Sequence, residues 1–197
     1  MAKTLAATFL VLGAVLPHPA LLAQRFFGFG GVEARAGVAD PKNADKGFDY
    51  AIDADLGYIK LPNIRTYVGL DGFSSDVNLV VAGTRVDGSI KGFGLETGTR
   101  LDLTPGKLVS PSVVLGLSFT DVSARDVNEP ATSDLLDGFY TAFVYGVGLA
   151  LYIGQKHTWS AVGDLRFVTG SNVGRTVLTG GLRWNPKGRA TYQSQSR

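Results

Sequence analysis

Residues 48–59, FDYAIDADLGYI, alternate without a break. Phe48, Tyr50, Ile52, Ala54, Leu56 and Tyr58 fall on one side, and Asp49, Ala51, Asp53, Asp55, Gly57 and Ile59 on the other. A period of two belongs to a β-strand with two unlike faces, because successive side chains leave the pleat in opposite directions. Such a strand fits two kinds of sheet. In one, the apolar face meets a protein core and the acids meet water. In the other, the apolar face meets lipid and the acids turn inward. The rest of the chain decides between them.

The same alternation recurs seven more times. In residues 26–39, Val32, Ala34, Ala36 and Val38 oppose Glu33, Arg35 and Gly37, and in residues 64–73, Ile64, Val68 and Leu70 oppose Arg65 and Asp71. In residues 89–103, Phe93, Leu95, Leu101 and Leu103 oppose Gly94, Glu96, Gly98, Arg100 and Asp102. Residues 108–121 set Val113, Leu115, Leu117 and Phe119 against Ser110, Ser112, Gly116, Ser118 and Thr120. Residues 137–154 set Phe139, Phe143, Tyr145, Val147, Leu149 and Leu151 against Ala142, Gly146, Gly148, Ala150 and Tyr152. Residues 157–168 set Trp159, Ala161, Leu165 and Phe167 against Ser160, Asp164 and Arg166, and residues 175–184 set Leu178, Leu182 and Trp184 against Thr179, Gly181 and Arg183. Most of these runs exceed the soluble strand mode of about 5–6 residues. They match the roughly 9–11 that a tilted strand needs to cross a bilayer.

The connections carry a second period. LPN (61–63), TPGK (104–107) and GQK (154–156) are tight turns rich in Pro, Gly and Asn. Between them fall longer, more polar segments at 40–46, 75–88 and 124–137 and a shorter one at 169–174. Loop length therefore tracks strand direction, as it does when short turns lie on one side of a membrane and longer loops on the other. A soluble meander has no reason to sort its loops. The stretch VNLVVAG (77–83) is unusually apolar for a loop; it either extends a hairpin or folds back over the barrel mouth, and folding back is the simpler expectation.

The polar faces taken together hold Glu33, Asp49, Asp53, Asp55, Arg65, Asp71, Glu96, Arg100, Asp102, Asp164, Arg166 and Arg183, both signs separated by Gly, Ser and Thr. That set is too charged for a lipocalin-like ligand pocket, which requires an apolar interior and a solvated exterior. The spacing thus predicts an all-β, eight-stranded antiparallel up-and-down transmembrane barrel whose lumen holds these charges as packed pairs, Asp53 with an arginine such as Arg65 or Arg100. Its outer face carries Phe48, Tyr50, Tyr58, Phe93, Phe119, Phe143, Tyr145, Trp159, Phe167 and Trp184 toward lipid, several near strand ends where aromatic girdles sit. Closure is compulsory, because lipid leaves no partner for an open sheet edge. A soluble secreted barrel is the alternative from a different class, and a narrow channel for small solutes is the alternative within the membrane reading.

The segment 1–23 has Lys3, an apolar run from Leu5 to Leu16 and Ala23 before Gln24, the layout of a signal peptide. The barrel is expected over 24–185 and a flexible polar tail on the periplasmic side over 186–197. Strand number, alternation and loop sorting resemble the eight-stranded outer-membrane β-barrel superfamily, whose members are similar to the OmpA barrel domain and the small OmpX-type proteins. The last strand, TVLTGGLRW (176–184), is similar to the terminal signal that barrel assembly machinery reads, although its glycines fall one place late and a tail follows it. The resemblance implies an outer-membrane protein with lipid and the assembly machinery as partners. A surface partner would be met through loops 75–88 and 124–137, and the barrel is expected to be a monomer.

Nothing in the sequence points strongly to catalysis. With no Cys and a single His after the leader, no metal constellation exists. His157 lies beside the 154–156 turn and is expected to be exposed or interfacial. GFGGVEARAG (28–37) lacks the helix, spacing and Lys of a phosphate loop. A net charge of +2 gives no case for nucleic acid. No cofactor and no enzymatic role are expected. The facing assignment has a direct test. Leu149→Arg, outward near mid-membrane, should cost about 2–4 kcal/mol and hinder assembly, whereas Ala150→Ser, inward, should be tolerated. Urea unfolding of both variants in lipid vesicles reads the difference, and equal tolerance would reverse the assignment.

Overall fold

The computed structural model describes residues 29–58, 63–81, 83–105, 107–128, 130–154, 156–170 and 174–186. The leader expected over 1–23 and nearly all of the tail expected over 186–197 lie outside these residues. Eight antiparallel strands form a closed barrel in chain order: β1 (Gly31–Pro41), β2 (Gly47–Tyr58), β3 (Ile64–Val81), β4 (Thr84–Asp102), β5 (Val109–Arg125), β6 (Gly138–Ile153), β7 (Trp159–Thr169) and β8 (Arg175–Trp184). One short helix, α1 (Pro130–Leu136), stands between β5 and β6. The ring is sealed by β1 against β8, paired from Val32↔Trp184 to Pro41↔Arg175. No helix among the described residues is long and apolar enough to cross a membrane.

The start of β1, the end of β8 and the connections at 59–63, 103–108 and 154–158 share one end of the barrel, the turn end. The other end, the loop end, carries the remaining connections. β1, β2, β7 and β8 have 10–12 residues, but β3 to β6 have 16–19, so one side of the barrel stands taller at the loop end.

Here the structure corrects the reading of 75–88 as a loop folded over the mouth. The β3–β4 ladder runs without a register shift from Ile64↔Leu101 to Val81↔Thr84. The chain reverses at 82–83, where Gly83 takes φ +85, a left-handed conformation that glycine adopts freely. A second left-handed glycine, Gly57 at φ +84, forms a bulge at the foot of β2, where its N–H donates to Asp55 Oδ1 at 2.8 Å. The 124–137 connection likewise contains structure, α1, rather than open loop.

The outer wall is apolar in a defined band. Ile52, Leu70, Leu115, Val147, Leu149, Leu178 and Leu182 are exposed there with no protein neighbour to cover them. At the loop-end margin five strands repeat one step: a phenylalanine followed, two residues further out, by a polar side chain. The pairs are Phe48 and Lys46, Phe93 and Lys91, Phe119 and Asp121, Phe143 and Thr141, and Phe167 and Thr169. Tyr145 stacks on Phe167 at 5.3 Å, and Tyr50 is exposed beside Phe48 at 6.2 Å. At the turn-end margin Trp159 and Trp184 face one another across β7 and β8, with Phe29 at 6.4 Å from Trp184. Of Tyr58 only the backbone, the last residue of β2, is described. An exposed apolar band with charge inside is the reverse of a soluble ligand-carrying barrel.

Eight strands leave room for one layer of side chains, so large inward residues require small ones opposite. Tyr67 lies over the inward face of β4 and β5, where a methyl group built on Gly98 would meet Tyr67 Oη at 2.8 Å and the Leu115 carbonyl at 2.4 Å. Gly163, on the outer wall, has nothing nearer than 3.8 Å. Gly98→Ala should therefore destabilise by about 1–3 kcal/mol through overpacking, while Gly163→Ala is neutral or slightly stabilising. Denaturant midpoints in lipid or detergent compare the two.

Candidate functional site

The inward positions of the barrel are set by strand parity, and they sort the charges into tiers along its axis. All twelve charged residues expected in the lumen are buried: Glu33, Asp49, Asp53, Asp55, Arg65, Asp71, Glu96, Arg100, Asp102, Asp164, Arg166 and Arg183. Arg35 and Arg175 join them.

The central tier holds four carboxylates and four guanidiniums. Arg35 bonds Asp53 at 3.1 Å, Arg100 bonds Glu33 at 3.2 Å and Asp164 at 3.0 Å, and Arg183 Nε donates to Glu33 at 2.7 Å. Arg166 pairs with Glu96 and, at 2.9 Å, with Asp164. Tyr67 Oη donates to Glu96 at 2.7 Å, and its ring lies 5.5 Å from the Arg166 guanidinium. Asp53 thus takes Arg35 and the nearby Arg166, not Arg65 or Arg100: its direct partner on β1 is Glu33, and Arg35, two residues on, reaches it diagonally.

On each side of this neutral block, two aspartates share one arginine. Toward the turn end Arg65 bonds Asp102 through Nε at 2.6 Å and Nη2 at 2.9 Å, and also pairs with Asp55. Toward the loop end Arg175 pairs with Asp71 and lies 3.5 Å from Asp49. Buried charges are tolerated only when paired and hydrogen-bonded. The pairs are made diagonally and across the lumen, because direct cross-strand neighbours include the like-charged Glu33 with Asp53 and Arg65 with Arg100. A cavity of about 20 Å³, room for one water, touches Glu33, Asp53, Asp55, Arg65, Thr66, Tyr67, Arg100 and Arg183. Among the described residues, the paired charges fill this part of the lumen.

The loop-end half of the interior is different in kind. Ala39, Phe73, Val77, Val86, Ile90, Val122, Ala142, Val144, Val168 and Val177 form an apolar cluster, joined by Leu136 of α1. The Arg175 guanidinium lies 4.4 Å over the Phe73 ring at the border between the two halves. The expected charges thus fill one part of the lumen, and an apolar cluster fills the rest. Val77 and Val86 belong to the tall hairpin, so the cluster continues out of the barrel between hairpin and helix, with Val127 and Tyr140 packed against it. Asn128 ties the connection to β4, its N–H reaching the Asp87 carbonyl and its Nδ2 the Arg85 carbonyl, each at 3.2 Å. The hairpin, tied to Asn128, and α1, packed on β5, thus stand together as a platform above the rim.

His157 is also corrected. It is 8% exposed, takes φ 53, and stacks on Tyr152 at 5.2 Å at the turn end. The left-handed backbone swings the ring under the barrel rather than outward. Ser160 is buried beside that end. Among the described residues no group of three or more His, Cys, Asp and Glu is placed to hold a metal ion.

Set against solved structures, the chain is similar to Neisserial surface protein A, at 21% identity and a TM-score of 0.53, over 79% of this chain and 96% of that one. It has the fold of the eight-stranded outer-membrane barrels. Ail, the attachment invasion locus protein of Yersinia pestis, aligns over 80% of this chain and 99% of its own at 11% identity and a TM-score of 0.45. The N-terminal barrel domain of Pseudomonas aeruginosa OprF aligns over 80% and 98% at 19% and 0.45. No family model and no curated protein matches the sequence.

In this outer-membrane-type barrel three members of the charge network were not among the expected set. Arg35 alternates with Glu33, Arg175 shares its parity with Arg183, and Tyr67 with Arg65, so parity alone carries the signal for each. Removing one central arginine tests the network. Arg166→Met should destabilise by about 3–5 kcal/mol, because Glu96 and Asp164 lose a buried partner. Adding Glu96→Gln should recover part of that loss, and equilibrium unfolding of the two single variants and the double variant measures the coupling.

Proposed function

We propose that this chain is a closed, non-enzymatic barrel of a bacterial outer membrane that serves as a scaffold for surface interaction. The observation that carries this reading is the continuity of the apolar cluster from the upper lumen into the hairpin and α1. A loop-end element built that way is held rigid by the barrel beneath it, which lowers the entropy lost when a partner binds. The exposed apolar band and its aromatic margins support lipid as the surrounding medium. Under this reading the turn end faces the periplasm, where β8 is read by assembly machinery, and the platform faces outward. The surface partner then meets the hairpin over 75–88 and the 124–137 connection.

The same filling argues against the narrow channel. Paired charges occupy the lower lumen and close-packed valines the upper, and a conducting path needs continuous room for hydrated ions. Refolded protein in planar lipid bilayers under 1 M KCl should give a flat current trace. Sustained ohmic steps would overturn the closed scaffold. Export is checked separately by fractionation, where the unboiled outer-membrane sample should run as a compact, shifted band.

A further inference from the structure

The two ends of the barrel differ in charge. The turn-end connections, 59–63, 103–108 and 154–158, carry Lys60, Lys107 and Lys156 and no acid. The loop-end connections reverse this, with Asp45, Asp126, Glu129, Asp134 and Asp137 against Lys42 and Lys46. The turn lysines also lie at a defined depth. At the loop end the apolar band stops at its phenylalanines, and β3 to β6 run on beyond it. At the other end the band continues into the turns themselves, where Leu103, Leu108, Ile153, Trp159 and Trp184 are exposed. A cation in such a turn stands level with the head groups of the lipid that wets the band, its stem resting on apolar surface.

Two of the lysines share one place. β5 begins and β6 ends at the turn end, paired there through Val109↔Leu151. The Tyr152 N–H donates to the Leu108 carbonyl at 2.9 Å, which carries the pairing one residue past that point. The 103–108 and 154–158 turns therefore stand side by side, with exposed Lys107 just before one strand and exposed Lys156 just after the other. Beside them Leu108, Val109, Leu151 and Ile153 form an uncovered apolar strip, bordered by Trp159, the cross-strand partner of Ile153. The carboxylates at this end, Asp55 and Asp102, are buried in the lumen with Arg65, so they compensate that arginine and not the lysines. Two cations above an apolar strip fit a phosphate that carries hydrocarbon.

We propose that the foot of β5 and β6 binds an anionic glycerophospholipid, its phosphate between Lys107 and Lys156 and an acyl chain along Leu108, Leu151 and Ile153. This rests on the membrane reading above and names one lipid class at one place. A zwitterionic head group brings its own cation to the same spot and gains less from the lysines. The selectivity is therefore electrostatic and weakens with salt. The hydrocarbon strip adds contact that a free phosphate cannot make, so the lipid binds where the bare anion does not.

The test uses the chain refolded into phosphatidylcholine vesicles, with Trp184→Phe leaving Trp159 as the reporter beside the site. Brominated phosphatidylglycerol and brominated phosphatidylcholine quench a tryptophan that they touch. Phosphatidylglycerol should be preferred about fivefold next to Trp159 at low salt, and the preference should vanish at about 0.5 M salt. Lys107→Gln with Lys156→Gln should abolish it, and Lys107→Arg with Lys156→Arg should keep it, each variant retaining the gel shift of a closed barrel. Lys46→Gln with Lys91→Gln removes the same net charge at the loop end and should leave the preference unchanged. Equal quenching by the two lipids, a preference that survives the Lys107 and Lys156 glutamines, or its equal loss in the loop-end pair would overturn the proposal. So would displacement of the lipid by millimolar glycerol phosphate, which would mark a site for free phosphate. Quenching by neither lipid would overturn the membrane reading itself, an outcome distinct from equal quenching by both.

Discussion

The interior of an eight-stranded ring is the narrowest constraint in this molecule, and the rest of its chemistry follows from it. One layer of side chains fits, so every long inward residue needs a short one across from it, and every charge meets a neighbour whether or not the pair is favourable. The chain meets both demands with the same strands. Inward glycines such as Gly98 and Gly116 make room under Tyr67, and arginines on β1, β3, β4, β7 and β8 reach carboxylates on neighbouring or facing strands. Ion pairs this deeply buried add little net stability over a well-packed apolar core. What they do here is fix which strand lies opposite which, since a one-residue slip would turn every guanidinium into the outer band.

The outside is governed by the opposite medium. The band of exposed leucines and valines has no protein cover, and the polar residues that follow Phe48, Phe93, Phe119, Phe143 and Phe167 mark its upper limit on five strands at once. Crossing that limit inverts the pattern. Along β3, inward positions pass from Arg65, Tyr67 and Asp71 to Phe73 and Val77, while outward positions pass from Val68 and Leu70 to Ser74 and Asp76. The same chain is inside-out below the limit and an ordinary protein above it.

That inversion explains what the sequence made legible. Strand number, parity and the inward charges could be read because a single phase of alternation holds across the apolar band. The tall hairpin was missed because the phase reverses at Phe73, and a reader following outward apolar residues sees the strand stop there. Arg35 and Arg175 sit in the same parity as their network partners; Arg35 meets Asp53 diagonally across the β1–β2 hairpin, but the pairing of Arg175 with Asp71 across 104 residues is a property of closure, not of spacing. His157 was misplaced because its burial depends on a left-handed backbone that sequence rarely signals outside glycine. The valines of the upper lumen, Val122, Val144 and Val177, gave no contrast against the apolar outer face of their own strands.

The unequal heights of the strands give the barrel a front and a back. β1 and β2 end well below the tip of β3, so the open side of the hairpin looks out over a dipped rim, sideways across the shorter strands rather than along the barrel axis. Anything that reaches that side must come in laterally. In the proposed membrane setting, neighbouring proteins and lipid head groups would share the same approach, so crowding there would act as a competitor. The barrel's sociability would then depend on how densely the surface around it is paved.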